Sequence, residues 1–172
     1  MIKKDTPLKT VLEHGKKCTH KCGHCCNYGT GFLVGDDKKH IANFLNIDEK
    51  ELEKYLETVD KFNTKLQRPM THKKENMPYG RCVFLKNEGC TIHPVKPLQC
   101  KVGTCGEHGE QLSIWFTLNY FLNADDAESV RQYAAYLKIG GKTLEGAELN
   151  KIVSKDRLNK ILNYEDLVKK DE

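Results

Sequence analysis

The sequence predicts a mostly α-helical small domain that carries a short β-hairpin within a cysteine-rich lobe. Two observations support this fold class. Apolar residues recur at helical spacing over most of the chain outside residues 63–109. Eight cysteines form two separate groups of four, and the second group contains two short apolar runs around a tight-turn sequence.

The size and composition fit one globular domain. The chain has 172 residues, of which 30% are charged, and its mean hydropathy is −0.63. We expect a single domain over residues 1–172, with a cysteine-cluster region at 15–105 and C-terminal helices at 110–168 that pack on it. The longest apolar run, residues 113–122, is too short to span a membrane, and "MIKKDTPLKTVLEHG" lacks the apolar stretch of a signal peptide. The predicted location is therefore the cytoplasm, with no membrane partner.

Residues 36–62 show helical spacing with one interruption at "NIDEKE". Apolar residues share one face before this interruption and another face after it. Asp48 lies at the interruption and has a side chain that suits the start of a helix. The pattern predicts an αα-hairpin. Residues 63–80 lose this periodicity and gain prolines and a glycine, which predicts a loop.

The second cysteine group contains the predicted hairpin. "CVFL" and "CTIH" flank "KNEG", a pattern typical of two short strands joined by a tight turn. Pro94 and Pro97 prevent a regular element after the hairpin. We therefore expect a turn that presents Cys100 and Cys105.

Helices are predicted for the remainder of the chain. Residues 110–122 are apolar on nearly all sides, which is typical of a helix buried on most faces. Residues 125–139 carry an apolar stripe that ends at Gly140-Gly141. Two further amphipathic segments, near 143–153 and 156–168, complete the prediction.

The cysteines are the candidate metal ligands. In a reducing compartment, clustered cysteines are more often metal ligands or redox groups than structural disulfides. Short spacers, with Gly23 in the turn, let successive thiolates face one metal while backbone N–H groups point at the sulfurs. We expect an iron–sulfur cluster or zinc, with no other cofactor, to organise this lobe. The predicted ligands are Cys18, Cys22, Cys25, Cys26, Cys82, Cys90, Cys100 and Cys105.

Cys25 and Cys26 are adjacent, which constrains how they can bind a metal. Adjacent side chains of an extended segment point in opposite directions, so the two thiols do not easily serve one tetrahedral ion. We expect the N-terminal loop and residues 82–105 to converge and to share ligands. Cys25 and Cys26 would then face different metals or different corners of one larger cluster.

Common metal-site templates do not account for this pattern. The first three cysteines match the CxxxCxxC spacing of radical S-adenosylmethionine enzymes, but the βα alternation of their barrel is absent from this sequence. Ferredoxin and zinc-ribbon spacings also differ. Four histidines lie within or beside the cysteine segments, and we predict that they support the site or face solvent rather than bind metal. They are His20, His24, His93 and His108.

Four motifs carry a family resemblance: "CTHKCGHCC" at 18–26, "CVFL" at 82–85, "CTIH" at 90–93 and "KPLQCK" at 96–101. In order and spacing they resemble the YkgJ-like cysteine-cluster family of zinc- or iron-chelating domains. The resemblance covers about residues 15–105 and implies a bound metal or iron–sulfur cluster. His93 and Lys96 replace the tyrosine and arginine usual in the family. "KVGTC" replaces the usual ending, which leaves Cys105 outside the matched motif.

These observations favour a binding module: a metal-binding protein in electron transfer, metal handling or support of a protein partner. No acid, base and nucleophile set stands outside the cysteines, which argues against an enzyme, although the family includes a flagellin lysine methylase. The alternatives are therefore an enzyme that uses the cluster to modify protein side chains and a thiol-based redox sensor. The formal charge is only +4, and four of the 28 cationic residues are arginines, which argues against nucleic acid. No small-molecule substrate is identifiable.

Overall fold

The computed structural model describes residues 1–16, 23–73, 76–77 and 79–166. The α-helices within these ranges are α1 (Leu8–Gly15), α2 (His24–Tyr28), α3 (Asp37–Leu45), α4 (Glu49–Leu52), α5 (Leu98–Val102), α6 (Gly109–Tyr120), α7 (Ala127–Lys138), α8 (Leu149–Ile152) and α9 (Lys155–Leu162). The strands are β1 (Leu56–Lys61), β2 (Thr64–Pro69), β3 (Thr71–Lys73), β4 (Gly80–Cys82), β5 (Leu85–Lys86) and β6 (Gly89–Cys90). The strands pair antiparallel as β1–β2, β3–β4 and β5–β6. The prediction of a mostly helical small domain is thus confirmed, with more strand than we expected.

The two long C-terminal helices form where the apolar pattern predicts them. Helix α6 matches the predicted segment 110–122, and α7 matches 125–139. Gly140 follows α7 with a φ of 88°, in the left-handed region that glycine adopts without strain. The last two helices, α8 and α9, are shorter than predicted.

The predicted αα-hairpin is wrong in its second half. Asp48 does begin α4, since its Oδ1 accepts a hydrogen bond from the Glu51 N–H at 2.6 Å. The α-helix ends at Leu52, however, and a 3₁₀ turn leads directly into β1. Phe62 and Asn63, with φ values of 50° and 55°, connect β1 to β2. Two successive left-handed residues favour a two-residue hairpin, because this turn matches the twist of the strands.

The segment predicted as a loop, 63–80, instead contains β2 and β3. Strand β3 pairs with β4, so that Thr71 lies opposite Cys82. The predicted hairpin around "KNEG" is confirmed in shorter form, since its strands β5 and β6 have two residues each. Cys82 therefore belongs to a different hairpin from Cys90. Strand pairing on both hairpins fixes the backbone around these two cysteines.

The core consists of three groups of buried side chains. The largest surrounds α6, where Leu112, Trp115 and Phe116 are buried, and α1 and α5 pack against this helix. A second group lies beneath the cysteine hairpins and includes Cys82 itself. A third joins α7 to α9. Among the described residues, no helix combines the length and apolar character needed to cross a bilayer.

Candidate metal centre

Cysteines from both groups line one cavity of about 440 Å³. Cys18 and Cys22 lie outside the described residues. The cysteines that line the cavity are Cys25, Cys26, Cys82, Cys90, Cys100 and Cys105. No disulfide joins the described cysteines. The structure thus brings together two segments that are more than fifty residues apart in the sequence.

Helix α2 places Cys25 and Cys26 at the cavity. Gly23 begins this helix with a φ of 60°, in the left-handed region, as expected for a turn that needs glycine. The two sulfur atoms lie 4.0 Å apart, and both residues line the cavity. The expectation that the two side chains point in opposite directions is therefore wrong. Because the segment is helical, consecutive side chains are rotated by about 100°, which leaves both able to face one site.

The charges of Cys25 and Cys26 are coupled. The Cys26 thiol hydrogen-bonds to Cys25 and lowers the pKa of Cys25 to about 6. The same interaction, together with burial, raises the pKa of Cys26. One thiolate of this pair is therefore stabilised at neutral pH by the neutral thiol beside it.

Backbone N–H groups point at the sulfurs of the two hairpin cysteines. Burial raises the pKa of Cys82, and the backbone N–H groups of Phe84 and Leu85 oppose this by hydrogen bonding to its sulfur. Burial likewise raises the pKa of Cys90, against a hydrogen bond from the Ile92 N–H. Amide donors of this kind favour the thiolate form, which is the form that binds metals.

Cys100 is partly buried on α5 and lines the cavity. Burial and the neighbouring Cys82 raise its pKa to about 12, while the backbone N–H of Gly31 opposes the rise. Gly31 passes so close to α5 that an added Cβ would meet the Cys100 sulfur and would lie 2.9 Å from the Cys100 nitrogen. The absence of a side chain at Gly31 therefore permits this close approach.

Cys100 lies on α5 and not in the predicted turn, because Pro97 directly precedes the helix, where a missing N–H does not interrupt it. Two side chains fix the position of this helix, and with it Cys100. Asp37 is buried, and its Oδ2 accepts hydrogen bonds from the Leu98 N–H at 2.8 Å and from the Val34 N–H at 3.1 Å. Gln99 accepts a hydrogen bond from the Phe32 N–H at 2.9 Å. Asp37 thus satisfies a donor in the first turn of α5, which has no side-chain cap at Pro97.

The cysteine pattern does not predict that Gly31, Asp37 and Gln99 belong to the site. One signal was available: Lys96-Pro97 precede α5 and offer it no capping side chain, so its first turn needs an acceptor from elsewhere.

Cys105 lies at the exposed edge of the cavity, in the loop that precedes α6. Lys96 brings positive charge to the cavity wall and lowers the pKa of Cys90, and the His93 side chain lines the same wall. No aspartate or glutamate is found among the described residues that line the cavity. The remaining wall is mostly apolar and includes Leu112 and Phe116 of α6.

The other histidines with described positions make contacts outside the cavity. The ring of His24 packs against Tyr28 with centroids 5.0 Å apart, and His108 meets His14 edge to face at 4.6 Å. His20 lies outside the described residues. Only His93, of the histidines described, lines the cavity.

The thiols surround the cavity without converging on one point. Within residues 1–16, 23–73, 76–77 and 79–166, no group of three His, Cys, Asp or Glu side chains is close enough to hold a single ion. The described part of the site therefore supplies donors, but small movements are needed to bring several of them to one metal.

Comparison with known proteins identifies the family. Residues 17–116, more than half of the chain, match the family model CxxCxxCC, whose description is "Putative zinc- or iron-chelating domain". Searches among curated proteins and among solved structures returned no match. The matched range contains the described cysteines of the cavity together with Cys18 and Cys22. The chain therefore belongs to the CxxCxxCC family of zinc- or iron-chelating domains.

Proposed function

We propose that this protein holds an iron–sulfur cluster through thiolates of both cysteine segments and exchanges electrons with a protein partner. The observation that carries the proposal is the single cavity lined by cysteines from α2, β4, β6 and α5. Iron–sulfur clusters are bound by cysteine thiolates. The described cysteines around this cavity form no disulfide, so their thiols are available for such binding.

The donor chemistry of the cavity fits such a group. Backbone N–H groups hydrogen-bond to the sulfurs of Cys82, Cys90 and Cys100. Hydrogen bonds of this kind stabilise cluster sulfurs and tune the reduction potential. Burial and mutual repulsion raise the pKa values of Cys82 and Cys100. Bound metal would offset the free energy needed to deprotonate these thiols, because the cation replaces the protons and attracts the thiolates.

The size of the cavity favours a cluster over one zinc ion. Zinc–sulfur bonds of about 2.3 Å define a coordination sphere of only about 50 Å³. The cavity measures about 440 Å³ and has more thiols than one tetrahedral ion can bind. A polynuclear cluster makes fuller use of this space and of these donors. Zinc is the alternative that the experiment below distinguishes.

The position of the site supports electron exchange. Cys25 and Cys105 are exposed, whereas Cys82 is buried. Part of the site therefore reaches the surface while another part belongs to the core. When bound, the cluster would supply one-electron redox chemistry. The chain would hold it through the cavity cysteines and would offset part of its negative charge with Lys96.

Anaerobic purification followed by iron, zinc and acid-labile sulfide analysis and a visible absorption spectrum tests the proposal. We expect iron and sulfide in similar amounts, with charge-transfer absorption that dithionite bleaches. Cys100→Ser should lose most of the iron. Ser113→Ala, which changes the same cavity without removing a thiol, should retain it.

Two results would contradict the proposal in different ways. A colourless protein with zinc and no sulfide would retain metal binding and exclude the cluster. A protein that holds neither metal after reconstitution with iron, sulfide or zinc would exclude a metal centre altogether.

A further inference from the structure

A second, polar groove of about 400 Å³ lies beside the cysteine cavity. Three basic side chains line it, together with one carboxylate, one amide and one leucine. These residues are His72, Arg81, Lys86, Glu88, Asn87 and Leu85. None of them belongs to the motifs that define the cysteine site, apart from Leu85 in "CVFL".

Strand pairing builds this groove. His72 of β3 lies directly opposite Arg81 of β4 in the antiparallel register. Directly opposed residues project from the same face of a hairpin, so the two basic side chains are neighbours. The β5–β6 hairpin supplies the other side, with Lys86 at the end of β5.

Arg81 carries a buried donor that the described protein does not satisfy. Its Nε atom is shielded from solvent and has no hydrogen-bond partner within the described residues. No ion pair links Arg81 or Lys86 to another described side chain. A buried N–H without an acceptor is unfavourable, and more so when the group is charged. An acceptor from outside the described chain would remove this cost.

We propose that the groove binds a small oxyanion, a carboxylate or a phosphate, on the guanidinium of Arg81. The planar guanidinium offers parallel N–H groups that match two oxygens of either anion. Lys86 lines the same groove and adds positive charge, and the imidazole of His72 adds a further N–H donor. Glu88 also lines it and opposes the anion, so binding is expected to be moderate rather than tight.

The groove and the cysteine cavity are neighbours. Leu85 lines both of them, and Arg81 directly precedes Cys82 in the chain. An anionic group held by Arg81 therefore lies next to the cysteine site, on the far side of Leu85. No cysteine lines the groove. A failure of the oxyanion proposal is therefore distinguishable from a failure of the proposed cluster.

Titration of the full-length protein with inorganic phosphate and, separately, with acetate tests this inference. Heat release in calorimetry and the shift of the Arg81 Nε resonance in ¹⁵N NMR report binding at constant ionic strength. We expect binding of at least one of the two anions. Which anion binds more tightly distinguishes a phosphate site from a carboxylate site.

Three variants make the test specific. Arg81→Lys keeps the charge but loses the planar guanidinium with its parallel N–H groups. This variant should bind the anion at least about tenfold more weakly. Lys86→Gln should weaken it less. Glu88→Gln removes the opposing charge and should tighten binding about two- to fivefold.

Absence of binding of both anions to the natural protein would overturn the inference. So would equal binding by the natural protein and Arg81→Lys, because the anion would then lie elsewhere, for example on a metal in the cysteine cavity. If Arg81→Lys does not fold, the opposite effects expected for Lys86→Gln and Glu88→Gln decide the question. Unchanged binding in both of these variants would also overturn it.

Discussion

At the scale of single residues, the buried carboxylate of Asp37 has the clearest positioning role. It accepts hydrogen bonds from the Leu98 and Val34 backbones, and Lys101 lies 3.6 Å from its Oδ1. Asp37 thereby ties the start of α3, the preceding loop and α5 together. Cys100 is on α5, so the position of one predicted ligand depends on a side chain that binds no metal itself.

We predict that Asp37→Ala destabilises the protein by about 2–3 kcal/mol, because two part-buried N–H groups lose their charged, buried acceptor. Metal affinity should fall as well, since Cys100 is then less well positioned. Chemical denaturation and competition with a chelator measure the two effects. Asp36→Ala is the matched control: Asp36 is exposed and its side chain caps no N–H group. Equal stability of the two variants would disprove the positioning role.

The pKa of Cys25 leads to a prediction for the reduced, metal-free protein. Because the Cys26 thiol lowers the pKa of Cys25 to about 6, Cys25 is largely a thiolate at pH 7. Its alkylation rate should rise with pH and reach half of its maximum near pH 6. Cys26→Ala removes the hydrogen bond, so the midpoint should rise towards about 8.5, the ordinary value for cysteine. Fragment-ion mass spectrometry can quantify labelling at Cys25 alone. An unchanged midpoint in Cys26→Ala would show that Cys26 does not stabilise the thiolate.

Residue types and spacing identified the cysteines of the site, but not the groups that position them. Thiols clustered in sequence are themselves the signal of a metal site. The roles of Asp37 and Gln99 depend on long-range hydrogen bonds. The partners are separated by 61 residues in the sequence for Asp37 and by 67 for Gln99. Such contacts arise only once the chain has folded, so local patterns could not reveal them.

At the scale of elements, residues 29–34 cross close to α5. At Gly31, an added Cβ would lie 2.9 Å from the Cys100 nitrogen and nearer still to its sulfur. These neighbours are backbone and a packed thiol, which cannot move aside as the end of a flexible side chain would. A methyl group at this position therefore has to push the two segments apart.

Gly31→Ala should consequently destabilise the fold by about 1–3 kcal/mol through overpacking and should reduce metal content. Gly29→Ala is the matched control, because nothing lies within 4 Å of the corresponding Cβ and the backbone there is extended, with a φ of 176°. Thermal denaturation and metal analysis of both variants test this. If the two behave alike, the segment is not held against α5.

Element prediction succeeded where one periodicity dominated and failed where two competed. Helices α6 and α7 have long apolar patterns at helical spacing, which do not fit the alternating pattern of a strand. In residues 52–59 the apolar positions also fit helical spacing, yet the chain forms β1 from Leu56. The decisive signal was the Phe62-Asn63 turn, which pairs β1 with β2. The pairing of β1 with β2 outweighed the short helical pattern of residues 52–59.

At the scale of the whole molecule, the cysteine site joins two parts of the core. Cys82 belongs to the buried group beneath the hairpins, whereas Leu112 and Phe116, which also line the cavity, belong to the group around α6. The helices α7 and α9 pack through a third group that does not line the cavity. Metal binding should therefore stabilise the cysteine half more than the C-terminal half.

Hydrogen exchange on the metal-loaded and the chelated protein tests this division. Metal binding free energy adds to folding free energy only where the ligands are held. We therefore expect chelation to accelerate amide exchange about tenfold or more in residues 23–31 and 80–105. Exchange in α7 should change much less, because the hydrogen bonds and apolar contacts that hold this helix do not involve the cysteines. Asp37→Ala, loaded with metal, should show part of the same acceleration in α5. A uniform acceleration over both halves would instead mean that the chain unfolds as one unit and that the metal stabilises all of it equally.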